Sequence, residues 1–256
     1  MQKRTYYILL IIMISLAIAH SNEIFPEGDI IKYIDTADSI YLAKLTKGYM
    51  RISDYYESGD VKKTEGFFIR KKENVVFVQT KPESQKNFAI LRIGNIFYSR
   101  LANTGKVVHV SATQKSRGGE TTNLDITRFT TNQDYKVKYL QKEKMQNTDC
   151  YKFELKAKNR KLAYSLVHLW INIETKLPVK KNFYASSGKL LKYAIYTKAV
   201  IKKGQMVSAV LNYYDALNEK NNSELVIDEI VVLKQVPQQF FTKEFLESRR
   251  LYNYNF

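Results

Sequence analysis

The stretch Asp149-Cys150-Tyr151-Lys152-Phe153-Glu154-Leu155-Lys156-Ala157 decides how this chain folds. Successive side chains of a strand point to opposite faces. Extended, this segment puts Tyr151, Phe153, Leu155 and Ala157 on one face and Cys150, Lys152, Glu154 and Lys156 on the other. A helical period of 3.6 would scatter the same residues around the axis, so the pattern reads as a half-buried strand. The same alternation recurs downstream. In 190–198, Leu191, Tyr193 and Ile195 oppose Lys192, Ala194, Tyr196 and Lys198. In 206–213, Val207, Ala209, Leu211 and Tyr213 oppose Met206, Ser208, Val210 and Asn212. One side of the sheet is thus bulky and apolar, and the other is studded with lysine.

Outward from there, segments of period two cover most of the chain. They are 49–57, 60–71, 74–80, 87–93, 95–101, 106–112, 135–144, 149–157, 165–173, 178–185, 190–199, 206–214 and 224–235. Turn residues separate them, such as Ser58-Gly59-Asp60, Asn103-Thr104-Gly105 and Ser186-Ser187-Gly188. Helices are expected only near the ends. Ile30, Ile31, Ile34, Ala37, Tyr41, Leu42 and Leu45 recur at three- and four-residue spacing, which predicts an amphipathic helix over 27–45 closed by Gly48. Thr242 is an N-cap for a short helix ending near Arg249. Short strands in series, without alternating helices, indicate an antiparallel sandwich or barrel in one domain, 20–256. Residues 113–133 break the rhythm with a polar, glycine-bearing loop, of a length usually functional or mobile.

The apolar face fits two arrangements. It is either an ordinary packed core, or the wall of a cavity covered by the helix 27–45; core and cavity linings look alike in sequence. On the cavity reading the lining candidates are Tyr151, Phe153, Leu155, Val167, Leu169, Trp170, Leu191, Tyr193, Ile195, Leu211 and Tyr213. The lid candidates are Ile30, Ile31, Ile34, Tyr41 and Leu42.

Composition removes several function classes. The 256 residues carry a formal charge of +16, with one Cys and three His. One cysteine cannot form an intramolecular disulfide or a cysteine-rich zinc site. Cys150 reads as a passive strand residue, since nothing beside it in sequence would lower its pKa. No His-Glu-x-x-His, Gly-x-Ser-x-Gly or phosphate-loop spacing occurs. His109 and His168 both sit inside strand patterns. A non-enzymatic role without cofactor or metal is expected. The lysines are dispersed over many strands and belong to no basic helix, which speaks against nucleic acid. They read as a solvated coat, with weak attraction to anionic head groups as the functional alternative.

The leader indicates a compartment. Lys3 and Arg4 precede an apolar run from Ile8 to Ala19 that ends in Ala17-Ile18-Ala19. That is the order of a cleavable secretory signal peptide, here residues 1–19. From Thr5 to Ala19 the stretch is shorter than the roughly 20 residues that span a bilayer. Without the two charges of Lys3 and Arg4, the +16 falls to +14, so the excess belongs to the body of the chain.

Tyr164-Ser165-Leu166-Val167-His168-Leu169-Trp170-Ile171-Asn172-Ile173-Glu174-Thr175-Lys176-Leu177-Pro178-Val179-Lys180 resembles the strand–turn–strand stretch of the outer-membrane lipoprotein-sorting proteins, the LolA-like carriers. The likeness continues through Phe183-Tyr184 and Ser187-Gly188-Lys189, and returns at Phe240-Phe241-Thr242. After the polar loop, Asp125 and Thr127 match the family's Gly-Ser-Asp-Phe-Thr. The resemblance implies a mainly β fold, an unclosed antiparallel barrel of about 11–13 strands with helices over its open side. It also implies a periplasmic carrier of lipoprotein or lipid acyl chains, with an inner-membrane donor and an outer-membrane acceptor. The alternative is an exported, non-enzymatic β-sandwich that binds a partner and has no lipid cavity.

Overall fold

The computed structural model describes residues 25, 29–30, 33–34, 45–115, 119–127, 134–159, 162–202 and 205–248. Its strands are β1 (Leu45–Tyr55), β2 (Val61–Lys71), β3 (Asn74–Lys81), β4 (Ala89–Ile93), β5 (Ile96–Arg100), β6 (Val107–Val110), β7 (Tyr135–Met145), β8 (Thr148–Ala157), β9 (Leu166–Asn172), β10 (Pro178–Tyr184), β11 (Leu190–Lys202), β12 (Gln205–Asp215) and β13 (Asn222–Val232). They form one 13-stranded sheet in the order β6-β5-β4-β3-β2-β1-β13-β12-β11-β10-β9-β8-β7. Every neighbouring pair is antiparallel, and all but β1–β13 are consecutive in the chain. The edges β6 and β7 do not pair, so the sheet is an unclosed barrel.

The curl is nearly complete. Arg92, Phe97 and Ala112 from one end of the sheet line the same small cavity as Asp134, Leu162 and Ala163 from the other. Inside lies one apolar cluster fed by strands from both halves. It includes Met50, Ile52, Phe68, Phe77, Phe153, Leu169, Ile171, Leu211 and Leu225. Each of these residues sits at the inward phase of its strand, as period two requires.

A second cluster lies on the outer face of β2–β5. There Ile69, Val76, Val78, Ala89 and Leu91 alternate with the inward residues. These strands are apolar on both faces, so the outer one also needs cover. The C-terminal segment supplies it with Val236, Phe240, Phe241, Phe245 and Leu246. Phe240 belongs to a 3-10 turn, Gln238–Phe241, and Phe245 to the helix α2 (Lys243–Glu247). Thr242 caps α2 as its sequence position predicts; its Oγ1 accepts from the Phe245 amide at 3.2 Å. The rings of Phe240 and Phe245 meet at 4.5 Å.

The predicted strands all appear. Leu45, read as the last apolar position of the leading helix, instead opens β1. Asp29, Ile30, Tyr33 and Ile34 are helical, as predicted. The polar loop differs from expectation: its residues 119–127 are buried, and Asn123–Thr127 form a short helix, α1.

The outer cluster depends on the C-terminal segment, and the effect of trimming it is measurable. Phe240→Ala is expected to lower stability by about 3–5 kcal/mol, the usual cost of emptying a buried phenylalanine site. Leu217→Ala, at a residue 73% exposed, should stay within about 0.5 kcal/mol. Urea unfolding of both variants checks this.

Candidate functional site: the inner face and its two ends

Each hairpin brings its turns to one of two rims. The first rim carries the β7–β8, β9–β10 and β11–β12 turns, and the second carries the β1–β2, β10–β11 and β12–β13 turns. The inner face between them is closed in two chemically different ways.

At the first rim the cover is aromatic. Phe25 lies 5.0–5.8 Å, ring to ring, from Tyr33, Tyr139, Tyr151 and Phe153. Tyr33 also meets Tyr151 and Phe153, and its hydroxyl donates to the Asn172 carbonyl at 3.1 Å. The Lys176 ammonium sits 4.4 Å over the Tyr33 ring. Burial, with Tyr151 adding to it, pushes the Tyr33 phenol above its ordinary pKa. Ile30 and Ile34 are buried in the same inner cluster. Phe25, Ile30, Tyr33 and Ile34 therefore lie on the apolar wall through contacts that are mostly non-directional. Ile31, Tyr41 and Leu42 fall outside the described residues.

Toward the second rim the cover is polar. The segment 119–127 enters the barrel, and its hydrogen bonds run to the wall. Asp125 forms a buried ion pair with Lys192 of β11. The same carboxylate accepts from the Thr122 amide and hydroxyl at 2.8 and 2.7 Å. Lys192 also donates to the Glu120 carbonyl at 3.1 Å, and three rings surround its ammonium, those of Tyr164, Phe183 and Tyr213. The Glu120 amide donates to Ser223, whose hydroxyl donates to Asp54 at 2.6 Å. Gly119 passes so close to Asp54 that a Cβ would lie 1.8 Å from its Oδ1. No other residue type fits there without moving Asp54. Arg70 of β2 donates to the Thr127 carbonyl at 3.2 Å. Burial, and then the charge of Arg92, pull the Arg70 guanidinium down to about 9. The two residues matching the family pattern, Asp125 and Thr127, are thus anchors of this plug.

The lining candidates divide. Phe153, Leu155, Val167, Leu169, Leu211 and Tyr213 are buried in the inner cluster, and Tyr151 packs against it. Four others are corrected. Leu191 is 41% exposed, whereas Lys192 is 5% exposed and faces in. Tyr193 stacks on Tyr214 and donates to Glu219, and Ile195 is on the same outer side. The segment 190–196 is apolar at both phases, so its pattern does not fix a side. The ion pair with Asp125 does, by drawing Lys192 inward and Ala194 with it. Trp170 is buried but outward, between the inward Leu169 and Ile171. Its indole donates to Glu143, and Lys152 and Lys180 lie over the ring at 4.8 and 5.7 Å. A hydrophobic residue can be buried outside the barrel when lysine stems cover it.

Other reactive groups are dispersed. No group of three His, Cys, Asp or Glu suited to a metal occurs among the described residues. His168 faces outward beside Tyr184, and burial followed by the Lys152 charge holds its pKa below the ordinary value. Cys150 is buried, and burial pushes its thiol up. No helix among the described residues is long and apolar enough to cross a membrane.

A nearly closed sheet with an apolar inside, a plug and an aromatic cover defines a LolA-like barrel. The model of a family described as "-like: Uncharacterized protein" matches residues 71–248, and the chain belongs to that family. Among solved structures it is similar to a LolA superfamily protein of Nitrosomonas europaea, with 26% identity and TM-score 0.75 over 84% of this chain and 98% of that one. It is also similar to an outer membrane lipoprotein-sorting protein domain of Vibrio parahaemolyticus, with 14% identity and TM-score 0.75 over 85% and 97%. A DUF1329 family protein of Desulfovibrio piger shares the fold, with 15% identity and TM-score 0.73 over 85% and 98%. No curated protein matches the sequence.

Two outcomes test this site. Asp125→Leu strands a buried ammonium and is expected to cost about 3–5 kcal/mol. Asp125→Leu/Lys192→Met should lose clearly less than Asp125→Leu alone; an equal or larger loss would show that the two charges do not act as a unit. At pH 8.5, where a free thiol is about half ionised, native Cys150 should resist alkylation by iodoacetamide, because its raised pKa leaves little thiolate. Urea should release full reactivity, and rapid labelling of the native chain would contradict the burial.

Proposed function

We propose that this chain is a carrier that covers acyl chains of lipids or lipoproteins on its inner face and gives them up to an acceptor. On this reading residues 1–19 are a cleaved leader, residues 20–256 are the carrier domain, and it works in the periplasm toward the outer membrane. The observation that carries the proposal is the cover over the aromatic rim. A second sheet would bind the inner face for good, but at this rim the described residues that meet it are a few side chains on a separate segment, Phe25, Ile30, Tyr33 and Ile34.

Those side chains occupy the place the proposal assigns to cargo, so cargo must displace them. Burial of four such groups is worth about 6–12 kcal/mol, at about 1.5–3 kcal/mol each. A diacyl lipid with about thirty methylenes hides about 24 kcal/mol of apolar surface from water, at about 0.8 kcal/mol each. The exchange favours cargo over lipid exposed to water by about 12–18 kcal/mol, and an acceptor that hides the same methylenes can reverse it. No covalent step is required. The lipoprotein-sorting relatives and the cleavable leader support the same direction of traffic.

Uptake of a fluorescent fatty-acyl probe tests the proposal, and displacement by unlabelled lipid gives its strength. Tyr151→Ser and Phe153→Ser should weaken binding at least about fivefold through lost ring contact. Leu191→Ser, on the outer face, should leave it unchanged. Tyr33→Ala, which loosens the cover, should speed uptake. A probe-inert chain, or equal loss from both faces, would favour the cavity-free sandwich instead.

A further inference from the structure

The sheet has a notch in its first rim. β10 is seven residues long and β11 is thirteen. Their pairing ends at Lys180 with Ile195, while β11 stays paired with β12 as far as Lys202 with Gln205. Beyond Ile195, β11 therefore has a strand partner on one side only. Across the gap the β7–β8 hairpin runs on to Met145 opposite Thr148. The β9–β10 turn forms the floor between these two hairpins.

A cavity of about 540 Å³ fills the notch, within the range of about 300–1,000 Å³ typical of small-molecule sites. Its apolar lining includes Met145, Leu177, Val179, Ile195, Tyr196 and Ala199. Tyr196 also packs against the inner cluster, so the notch and the barrel interior share this side chain as a wall. The charged part of the lining is cationic, beside the neutral Gln146, Thr148, Asn172, Thr175 and Thr197. Lys180 and Lys198 both line the cavity, and Lys176 lies in the turn beneath it. None of the three is ion-paired among the described residues. Lys180 is held in place by rings, 5.7 Å from that of Trp170 and 5.0 Å from that of Tyr193. A cation on an aromatic platform keeps its charge available to an anion on the other side.

We propose that this notch is the entry site for a lipid with an anionic phosphate headgroup, the phosphate meeting Lys180 and Lys198 and an acyl chain passing over Tyr196 into the barrel. The inference rests on the carrier reading and adds the headgroup class and the route. An apolar floor joined to unpaired cations matches an amphiphile of that charge. Free phosphate would leave the floor unused, a neutral headgroup would leave the cations uncompensated, and a zwitterionic one would bring its own cation against them.

The test uses vesicles doped with fluorescent phosphatidylglycerol, phosphatidylcholine or diacylglycerol, incubated with the purified chain. Phosphatidylglycerol should be preferred over phosphatidylcholine, and Lys180→Gln and Lys198→Gln should each erode that preference about fivefold. Diacylglycerol uptake should be the same in both variants, which also shows that they are folded. Ala199→Trp, which fills the notch, should slow uptake of all the lipids. Inorganic phosphate at millimolar concentration should not abolish loading. Uptake indifferent to headgroup, or a preference untouched by Lys198→Gln, overturns the entry site and leaves the carrier reading standing. Failure to take up any of the three lipids overturns both.

Discussion

A sheet that curls without closing has a concave face that its own strands cannot cover. That constraint organises the molecule. β6 and β7 do not pair with each other, so the apolar side of β1–β5 and β7–β13 must be met by chain that is not part of the sheet. Burial of the large side chains there is the main favourable term of folding, and water in the barrel would forfeit it. The polar segment 119–127 and the helical residues near Ile34 provide that cover from opposite ends. β2–β5 face the same demand on their outer side, and the C-terminal segment meets it with Phe240, Phe241 and Phe245. Among the described residues, three pieces of chain outside the sheet thus complete its burial.

The plug is costly to build, which explains its density of hydrogen bonds. Removing a carboxylate and an ammonium from water costs several kcal/mol each. Asp125 and Lys192 recover this only because Thr122, Glu120 and three aromatic rings complete their surroundings. The pair also resolves an ambiguity. A one-residue slip of β11 would send Lys192 outward and Leu191 inward, reversing the whole strand. Apolar burial alone barely distinguishes the two states, because Leu191, Tyr193 and Ile195 compete with Ala194 and Tyr196. An unpaired Asp125 carboxylate inside the barrel distinguishes them decisively.

Much of this was legible in the sequence, and the failures have physical causes. Strands such as 149–157 and 206–213 declare a face because one phase is apolar and the other polar. β11 declares none, and its orientation depends on a partner 67 residues away. Trp170, a lining candidate in the sequence, is buried on the outside by lysine stems and Glu143. Residues 119–127 carry no period and no apolar run, so nothing local announced that they are buried. The one trace was Asp125 and Thr127, which stand where the family keeps an Asp and a Thr. The dispersed positive charge read as a solvated coat is mostly that, with Lys192, Arg70 and Arg92 among the exceptions buried on the inner side.

The two covers differ in the kind of force that holds them, and this sets which one a ligand can move. Plug contacts are directional and charged, so their strength depends on geometry held to a few tenths of an ångström. A hydrocarbon chain offers no replacement for the hydroxyls and carboxylates of Thr122, Asp125 and Ser223, and displacing them would strand buried polar groups. The contacts of Phe25, Ile30, Tyr33 and Ile34 are mainly dispersion and exclusion of water, which methylenes supply equally well. Any apolar guest therefore trades against the aromatic cover and leaves the polar plug in place. On the carrier reading the barrel is fixed at one end and exchangeable at the other, and the notch beside β10 lies at the exchangeable end.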